Sequence, residues 1–202
     1  MADAAAATKP AHSRRIAILD EAVRMFGEFG YNGLTVHGLA ERCRITGAGL
    51  LYYFKSKEDL LLAVLDEIEA REIASIAPML EASEQPGGYR ALAWDALRAL
   101  VQHMMDRACS HPEVTRFVVS LQAEALEPSH VAYHWFRKRE QLTLDLLSAL
   151  LSPHVEDPAS NSRHVLALMQ GLEQQWLRQD MAFDIAAELD KVLDAVLGRG
   201  RL

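Results

Sequence analysis

Apolar positions recur at intervals of three and four along nearly the whole chain, the spacing of one face of an α-helix. Ile16, Leu19, Val23 and Phe26 form the first such stripe. Gly27 and Gly30 predict its end, with "GYNG" as the turn. Thr35 is placed to cap a short helix carrying Val36, Leu39 and Ala40, because its hydroxyl can accept from a free N–H two or three residues on. "CRITG" breaks that helix, and a second short one follows with Leu50 and Phe54 a turn apart. "SKED" at 56–59 reads as a capping box, with Ser56 as N-cap and Asp59 three residues later. It opens a long helix bearing Leu60, Leu61, Val64, Leu65 and Ile68, which Pro78 is expected to bend or end.

Beyond it, "SEQPGGY" (83–89) reads as a loop, and helical pattern runs from about Arg90 to Cys109. "SHPE" restarts the pattern, Pro128 with Ser129 breaks it, and a long helix then reaches about Leu151. "SPHVEDPASN" (152–161) is the longest polar, proline-bearing loop, and two further helical segments cover about 162–179 and 184–198. No run shows the strict alternation of a half-buried strand. The expectation is an all-α protein of about nine helices with no sheet and no internal repeat.

Composition changes this picture in one respect. Half of the 202 residues are hydrophobic, enough for a real core, and the net charge of −7 excludes a uniformly basic nucleic-acid binder. The charge is unevenly spread: residues 1–60 carry eight Lys/Arg against seven Asp/Glu, and residues 61–202 carry thirteen against twenty-one. The first part is the one suited to an anionic partner. Cys43 and Cys109 have no metal-type or disulfide spacing, and a reducing cytoplasm is expected. The Ala-rich start has no secretory pattern, and residues 1–12 are expected to be a disordered arm. No apolar stretch approaches the roughly 20 residues a membrane helix needs, so no membrane partner is expected.

Catalytic and cofactor patterns are weak. Neither a GxSxG motif nor a Ser/His/Asp arrangement stands out, and neither an enzyme nor a cofactor is expected. "GAG" at 47–49 follows no strand and lacks a third glycine at position 52, so it is not a dinucleotide fingerprint. His130 and His134 share a helix face, but no third ligand is placed by the sequence and no metal is expected.

Three short helices within the first 55 residues, the last two joined by a tight turn, describe a helix-turn-helix. In that geometry the third helix lies in the major groove of DNA, between walls of phosphate. "LLYYFKSKEDLL" (50–61) sits where that helix meets the next. Tyr52 and Tyr53 offer phenolic hydroxyls, and Lys55 and Lys57 offer charge beside a helix start, a combination suited to clamping phosphates. Phe54 reads as a core aromatic. Arg14 and Arg15 are either further phosphate ligands or solvated.

Residues 18–61, "ILDEAVRMFGEFGYNGLTVHGLAERCRITGAGLLYYFKSKEDLL", resemble the DNA-binding domain of TetR-type transcriptional repressors. The resemblance is carried by Ala22, Phe26, Gly30 and Tyr31, then Thr35, Leu39-Ala40, Ile45-Thr46, Leu50, Phe54 and Lys57-Glu58. It implies a helix-turn-helix domain over residues 13–57 and a ligand-binding and dimerisation domain over 58–202. It also implies a homodimer on a palindromic double-stranded operator, and a small-molecule effector that releases the DNA. The DNA-binding residues expected are Thr35, Arg44, Thr46, Gly47, Ala48, Gly49, Tyr52, Tyr53, Lys55 and Lys57. Three features depart from the family's pattern. Arg44 stands where a turn glycine is usual, at a cost on the order of 1 kcal/mol if its backbone is left-handed. Leu51 stands where tyrosine is frequent. Gly47 and Gly49 stand where many relatives carry base-reading side chains, so direct readout should be sparse and DNA shape should carry more of the specificity.

In the C-terminal part, Trp94, Leu97, Val101, Met104, Met105, Phe117 and Leu121 are the candidates for an apolar effector pocket between helices. Trp135 and Phe136 add aromatic bulk, and His103, Gln122 and Glu124 are the candidate polar contacts. The resemblance assigns Leu168, Leu172, Trp176, Leu189, Val192 and Val196 to a four-helix dimer interface, with Gly171 permitting close packing. The alternative from a different class is an all-helical protein-interaction module that no longer binds DNA specifically.

Overall fold

A computed structural model describes the backbone of residues 3–81 and 94–196 and the side chains of residues 13–81 and 97–193. Among these residues there are nine helices and no strand. The chain divides into two compact units, Met1–Arg71 and Glu72–Leu202.

The first unit contains α1 (Asp3–Gly33), α2 (Val36–Arg42), α3 (Gly47–Tyr53) and the start of α4 (Lys57–Glu81). α1 begins at Asp3, ahead of the arm expected over residues 1–12, in keeping with the high helix propensity of Ala4–Ala7. Gly27 does not end it. The break comes at Gly30, whose φ of 69° and ψ of 179° leave the helical region, and a last helical stretch resumes to Gly33. The buried stripe is Ile18, Leu19, Ala22, Val23 and Phe26, while Ile16 is half-buried. Leu39 and Ala40 of α2, Leu50 of α3, Phe54, and Leu60, Leu61, Val64 and Leu65 of α4 are also buried.

The unit reaches past residue 57 to Arg71. The buried leucines and valine of early α4 lie outside the C-terminal core. Arg71 bonds Glu67 one turn back and Asp20 of α1. Pro78 does not end α4, which continues to Glu81. A proline in a helix interior forfeits one ladder bond, here the one Ala74 would accept.

The second unit holds the rest of α4, then α5 (Trp94–Ser110), α6 (Pro112–Glu124), α7 (Tyr133–Leu151), α8 (Pro158–Arg178) and α9 (Ile185–Val196). The loop expected at 83–89 and the helix start expected near Arg90 lie outside the described residues. The polar loop expected over 152–161 closes at Asp157, which caps α8 by accepting from the Ser160 N–H at 3.0 Å. Pro158 then occupies the first turn, where a missing N–H costs nothing. α8 packs on α7, α9 and α6, and α5 packs on α9 and α6. The shared core includes Leu97, Leu100, Val101, Leu147, Leu150, Val165, Met169 and Leu189. Arg98 of α5 bonds Asp190 of α9 at 2.5 Å, and Gln102 donates to the same carboxylate at 3.1 Å. Cys43 and Cys109 are free thiols, half-buried, one in each unit.

Candidate nucleic-acid interface

The turn between α2 and α3 is built by backbone hydrogen bonds that need a left-handed residue. The Arg44 N–H donates to the Glu41 carbonyl at 3.0 Å and the Ile45 N–H to the Ala40 carbonyl at 2.9 Å. This pair of bonds is a Schellman motif, and its left-handed position falls on Arg44, with φ 54°. A residue other than glycine there costs on the order of 1 kcal/mol. Nothing in the turn's hydrogen bonding requires the guanidinium. The side chain is exposed, with no polar partner among the described residues.

Two helix starts in this unit repeat one device. Thr35 Oγ1 accepts from the Gly38 N–H at 3.0 Å, and Thr46 Oγ1 accepts from the Gly49 N–H at 3.0 Å. Thr-x-x-Gly thus caps α2 and then α3. A Cβ on Gly38 would lie 3.0 Å from the Thr35 hydroxyl oxygen, and one on Gly49 would lie 3.2 Å from that of Thr46. Gly47 has open space where its Cβ would stand. Gly49 is therefore fitted to the cap, whereas Gly47 is free to take a side chain.

α3 presents its remaining surface outward. Tyr52 is 82% exposed and Leu51 45%. Tyr53 is half-buried and meets Tyr52 edge-on, with ring centroids 5.3 Å apart. Phe54 is buried, and the Arg15 guanidinium lies over its ring at 5.1 Å, so Arg15 is held against the domain. Arg14 is exposed and lines a surface cleft of about 530 Å³ with Glu21, Arg24, Arg42 and Cys43.

The start of α4 combines a cap with cations. Ser56 Oγ accepts from the Asp59 N–H at 3.1 Å, and Asp59 returns a bond to the Lys55 N–H at 2.9 Å, one residue before the cap. The Lys57 ammonium sits 4.4 Å from the centre of the Tyr31 ring. A hydrogen bond from Tyr31 and the Ser56 hydroxyl are among the causes that hold the Glu58 carboxyl below its ordinary range, after its own backbone N–H. Burial, then Glu58, raises the Tyr31 phenol. The Lys55 side chain is exposed.

Two acids on α1 are paired with arginines. Glu21 pairs with Arg24 at 2.7 Å and with Arg42 at 3.3 Å, and Glu28 pairs with Arg42 at 3.2 Å. The expected DNA-binding residues therefore gather on the α2 start, the turn, α3 and the α3–α4 link. Of these, Thr35, Arg44, Thr46, Ala48, Tyr52 and Lys55 are exposed, and Gly47, Gly49, Tyr53 and Lys57 are half-buried.

In the second unit the expected positions divide differently. Leu97, Val101 and Met105 are buried in the core, with Met104 packed against it. Phe117 and Leu121 of α6 are buried outside that cluster, and the Trp94 side chain lies outside the described residues. His103 has a buried Nε2 with no hydrogen-bond partner among the described residues, Gln122 is half-buried and Glu124 is exposed. Trp176 and Leu189 lie in the core of the second unit. They are 5% and 1% exposed within a single chain, which leaves them almost no surface for a partner. Leu168 and Leu172 pack against the same core, Val192 is 37% exposed, and the Val196 side chain lies outside the described residues. Gly171 makes no close approach among the described residues, since a Cβ there would meet nothing within 4 Å. His130 Nδ1 accepts from the Ala132 N–H at 3.2 Å, and no group of three metal-ligating residues occurs among the described residues.

One polar group was not anticipated. Arg139 of α7 pairs with Glu72 of α4 and lies 5.5 Å from the Trp135 ring centre. Its Nη1 is buried without a hydrogen-bond partner among the described residues. Glu173 of α8 is half-buried, and loss of hydration pushes its carboxyl up to about 7; Glu72 adds to the rise and Arg139 opposes it. A signal was present in the sequence. Glu173 falls between buried Met169 and Trp176 at helical spacing, and Arg139 falls between buried Phe136 and Leu147, so both charges stand on apolar stripes.

Two capped short helices joined by a Schellman turn, with exposed tyrosine, lysine and arginine around the second, define a DNA-binding protein of the helix-turn-helix class. Residues 18–64 match the family described as bacterial regulatory proteins, tetR family. The HTH-type transcriptional regulator RutR of Escherichia coli (strain K12) is 41% identical over 56 residues, which cover 28% of this chain and 26% of RutR. The likeness thus spans about a quarter of that relative's length. A TetR transcription regulator from Haloarcula marismortui superposes with a TM-score of 0.77 at 18% identity, covering 93% of this chain and 97% of its own. The transcriptional regulator FadR from Bacillus subtilis, in complex with stearoyl-CoA, does so at 0.72 and 17% identity, covering 92% and 99%.

Proposed function

We propose that this chain is an effector-responsive repressor. It binds a palindromic DNA operator as a homodimer and is released when a small amphipathic molecule occupies its C-terminal helices. The observation that carries the DNA half is the exposed surface formed by Arg44, Thr46, Tyr52 and Lys55 around a capped α3, in a unit whose Glu21 and Glu28 are taken up by Arg24 and Arg42. Arg44 and Lys55 contact phosphates; Tyr52 and Tyr53 reach the sugar-phosphate edge. With no side chain on Gly47 or Gly49, few base edges are read directly and DNA deformability sets much of the specificity. The effector half is supported by the FadR neighbour bound to stearoyl-CoA and by the apolar second unit.

Retention of genomic fragments, followed by a salt series on the fragment found, tests this reading. A specific site with two-fold symmetry and half-sites about one helical turn apart, roughly 34–36 Å, is expected. Weak retention with no preferred fragment would favour the interaction-module reading, which the absence of side chains at Gly47 and Gly49 keeps in view. An effector must bind differently with and without operator, because a ligand with equal affinity for both states shifts nothing.

A further inference from the structure

We propose that Arg139, Glu72 and Glu173 form the polar end of the effector site and receive an uncharged carbonyl group, with Arg139 Nη1 donating to the carbonyl oxygen. The inference rests on the effector-responsive reading above and names the chemistry of its ligand. A buried guanidinium nitrogen with no partner among the described residues is costly, and the remedy is an acceptor. The choice among acceptors follows from the charges already there. Glu72 neutralises Arg139, so a ligand carboxylate would bring a second full negative charge beside Glu72 and Glu173. A ligand cation would face the guanidinium. An ester, thioester, ketone or amide accepts the bond and adds no charge. Trp135, across whose ring the guanidinium lies, supplies apolar surface beside the acceptor.

Glu173 sets the condition for this contact. The charged groups that act on it are Glu72 of α4 and Arg139 of α7, and its carboxyl is raised to about 7 chiefly by loss of hydration. Protonated, Glu173 leaves Arg139 to the ligand. Ionised, it competes for the guanidinium, so carbonyl binding weakens as pH rises through that value.

The test is calorimetric titration of the full-length protein with methyl octanoate, octanoate and octylamine. Methyl octanoate is expected to bind most tightly. Arg139→Met should weaken it by roughly tenfold to a hundredfold, the loss expected for a hydrogen bond to a charged donor. Arg139→Met leaves Glu72 without its cation, so a variant that tolerates the site serves as the second arm. Glu173→Gln should abolish the decline in ester affinity that the unmodified protein shows above about pH 7. Tighter binding of octanoate or octylamine overturns the proposal, as does unchanged ester affinity in a folded Arg139→Met protein. If Arg139→Met does not fold, a pH-dependence that persists in Glu173→Gln overturns it. Binding of none of the three compounds also overturns it, while operator retention separately decides whether the protein is a DNA-binding regulator at all.

Discussion

Both units use local caps and distant ion pairs, but the pairs that stand on core-facing positions lie in the second. In Met1–Arg71 the caps are local: Thr35 to Gly38, Thr46 to Gly49, Ser56 to Asp59 and Asp59 to Lys55 all join residues within four positions. In Glu72–Leu202 the bonds that matter join distant segments, Glu72 to Arg139 and Arg98 to Asp190, and place charge on faces that otherwise pack in the core. Local caps define a rigid shape and leave the exposed cations for a partner. Long-range, partly buried charges respond to whatever enters among them. The first arrangement suits a fixed reading surface and the second a responsive one.

Replacing core bulk in the rigid unit should show the largest effect. Phe54→Ala removes a 2%-exposed ring that also carries the Arg15 guanidinium, and should cost about 3–5 kcal/mol in chemical denaturation. A loss under about 1 kcal/mol would mean the unit tolerates rearrangement and is not rigid.

The responsive unit should show its character through pH. Glu173 is held above its ordinary carboxyl range, so the folded protein binds that proton more tightly than the unfolded chain. Stability from this group is full at low pH and falls as pH rises from the usual carboxyl range to about 7, then stays level. Glu173→Gln should therefore be the more stable protein at about pH 8, by on the order of 2 kcal/mol, with the gap closing near pH 4. Parallel melting curves at the two pH values would contradict a desolvated, titrating Glu173.

Arg44→Gly sharpens the contrast between shape and binding. Glycine at the left-handed position should stabilise the fold by about 1 kcal/mol. It should also lower the salt slope of operator binding by about 2 per dimer, one for the proposed phosphate contact in each half-site. Lys55→Ala should lower the slope by a similar amount with no gain in stability, and should weaken matched and mismatched operators alike. A change in the preferred bases would make either residue a reader of sequence.

The smallest effect is expected at Gly171. Alanine has room there within one chain and should raise stability by up to about 1 kcal/mol through helix propensity. If a partner helix packs on that face, the same change should weaken association in sedimentation measurements. Unchanged association would place the dimer contact elsewhere on the surface.

This contrast also explains what could be read from the chain. Caps and turns depend on neighbours, so Thr35, Ser56 and the strain at Arg44 follow from short spacings. The start of α8 follows the same logic, Asp157 before Pro158 being an N-cap followed by a first-turn proline, although the polar loop is expected from the sequence to run on to residue 161. The long-range features were harder. An apolar stripe on α8 or α9 shows that a face is covered without saying by what, and Trp176 and Leu189 turn out to be covered by their own chain. Glu72, Arg139 and Glu173 are about 67 and 34 positions apart along the chain, and only packing of helices brings such charges into mutual reach. Which of the outward residues meet DNA depends on a partner molecule and is carried by the proposal above.

The two thiols allow the units to be timed independently. Cys43 and Cys109 are both half-buried, and burial raises both pKa values above the ordinary thiol range. The thiolate is the form that reacts with alkylating reagents, so both should be slow in the native protein. Each would react mainly when its own surroundings open. Mass spectrometry of the alkylated peptides would then give two separate clocks from the unaltered sequence. One would run on the breathing of the reading unit and the other on that of the helical unit, and an effector that quiets only the second would slow Cys109 and leave Cys43 unchanged.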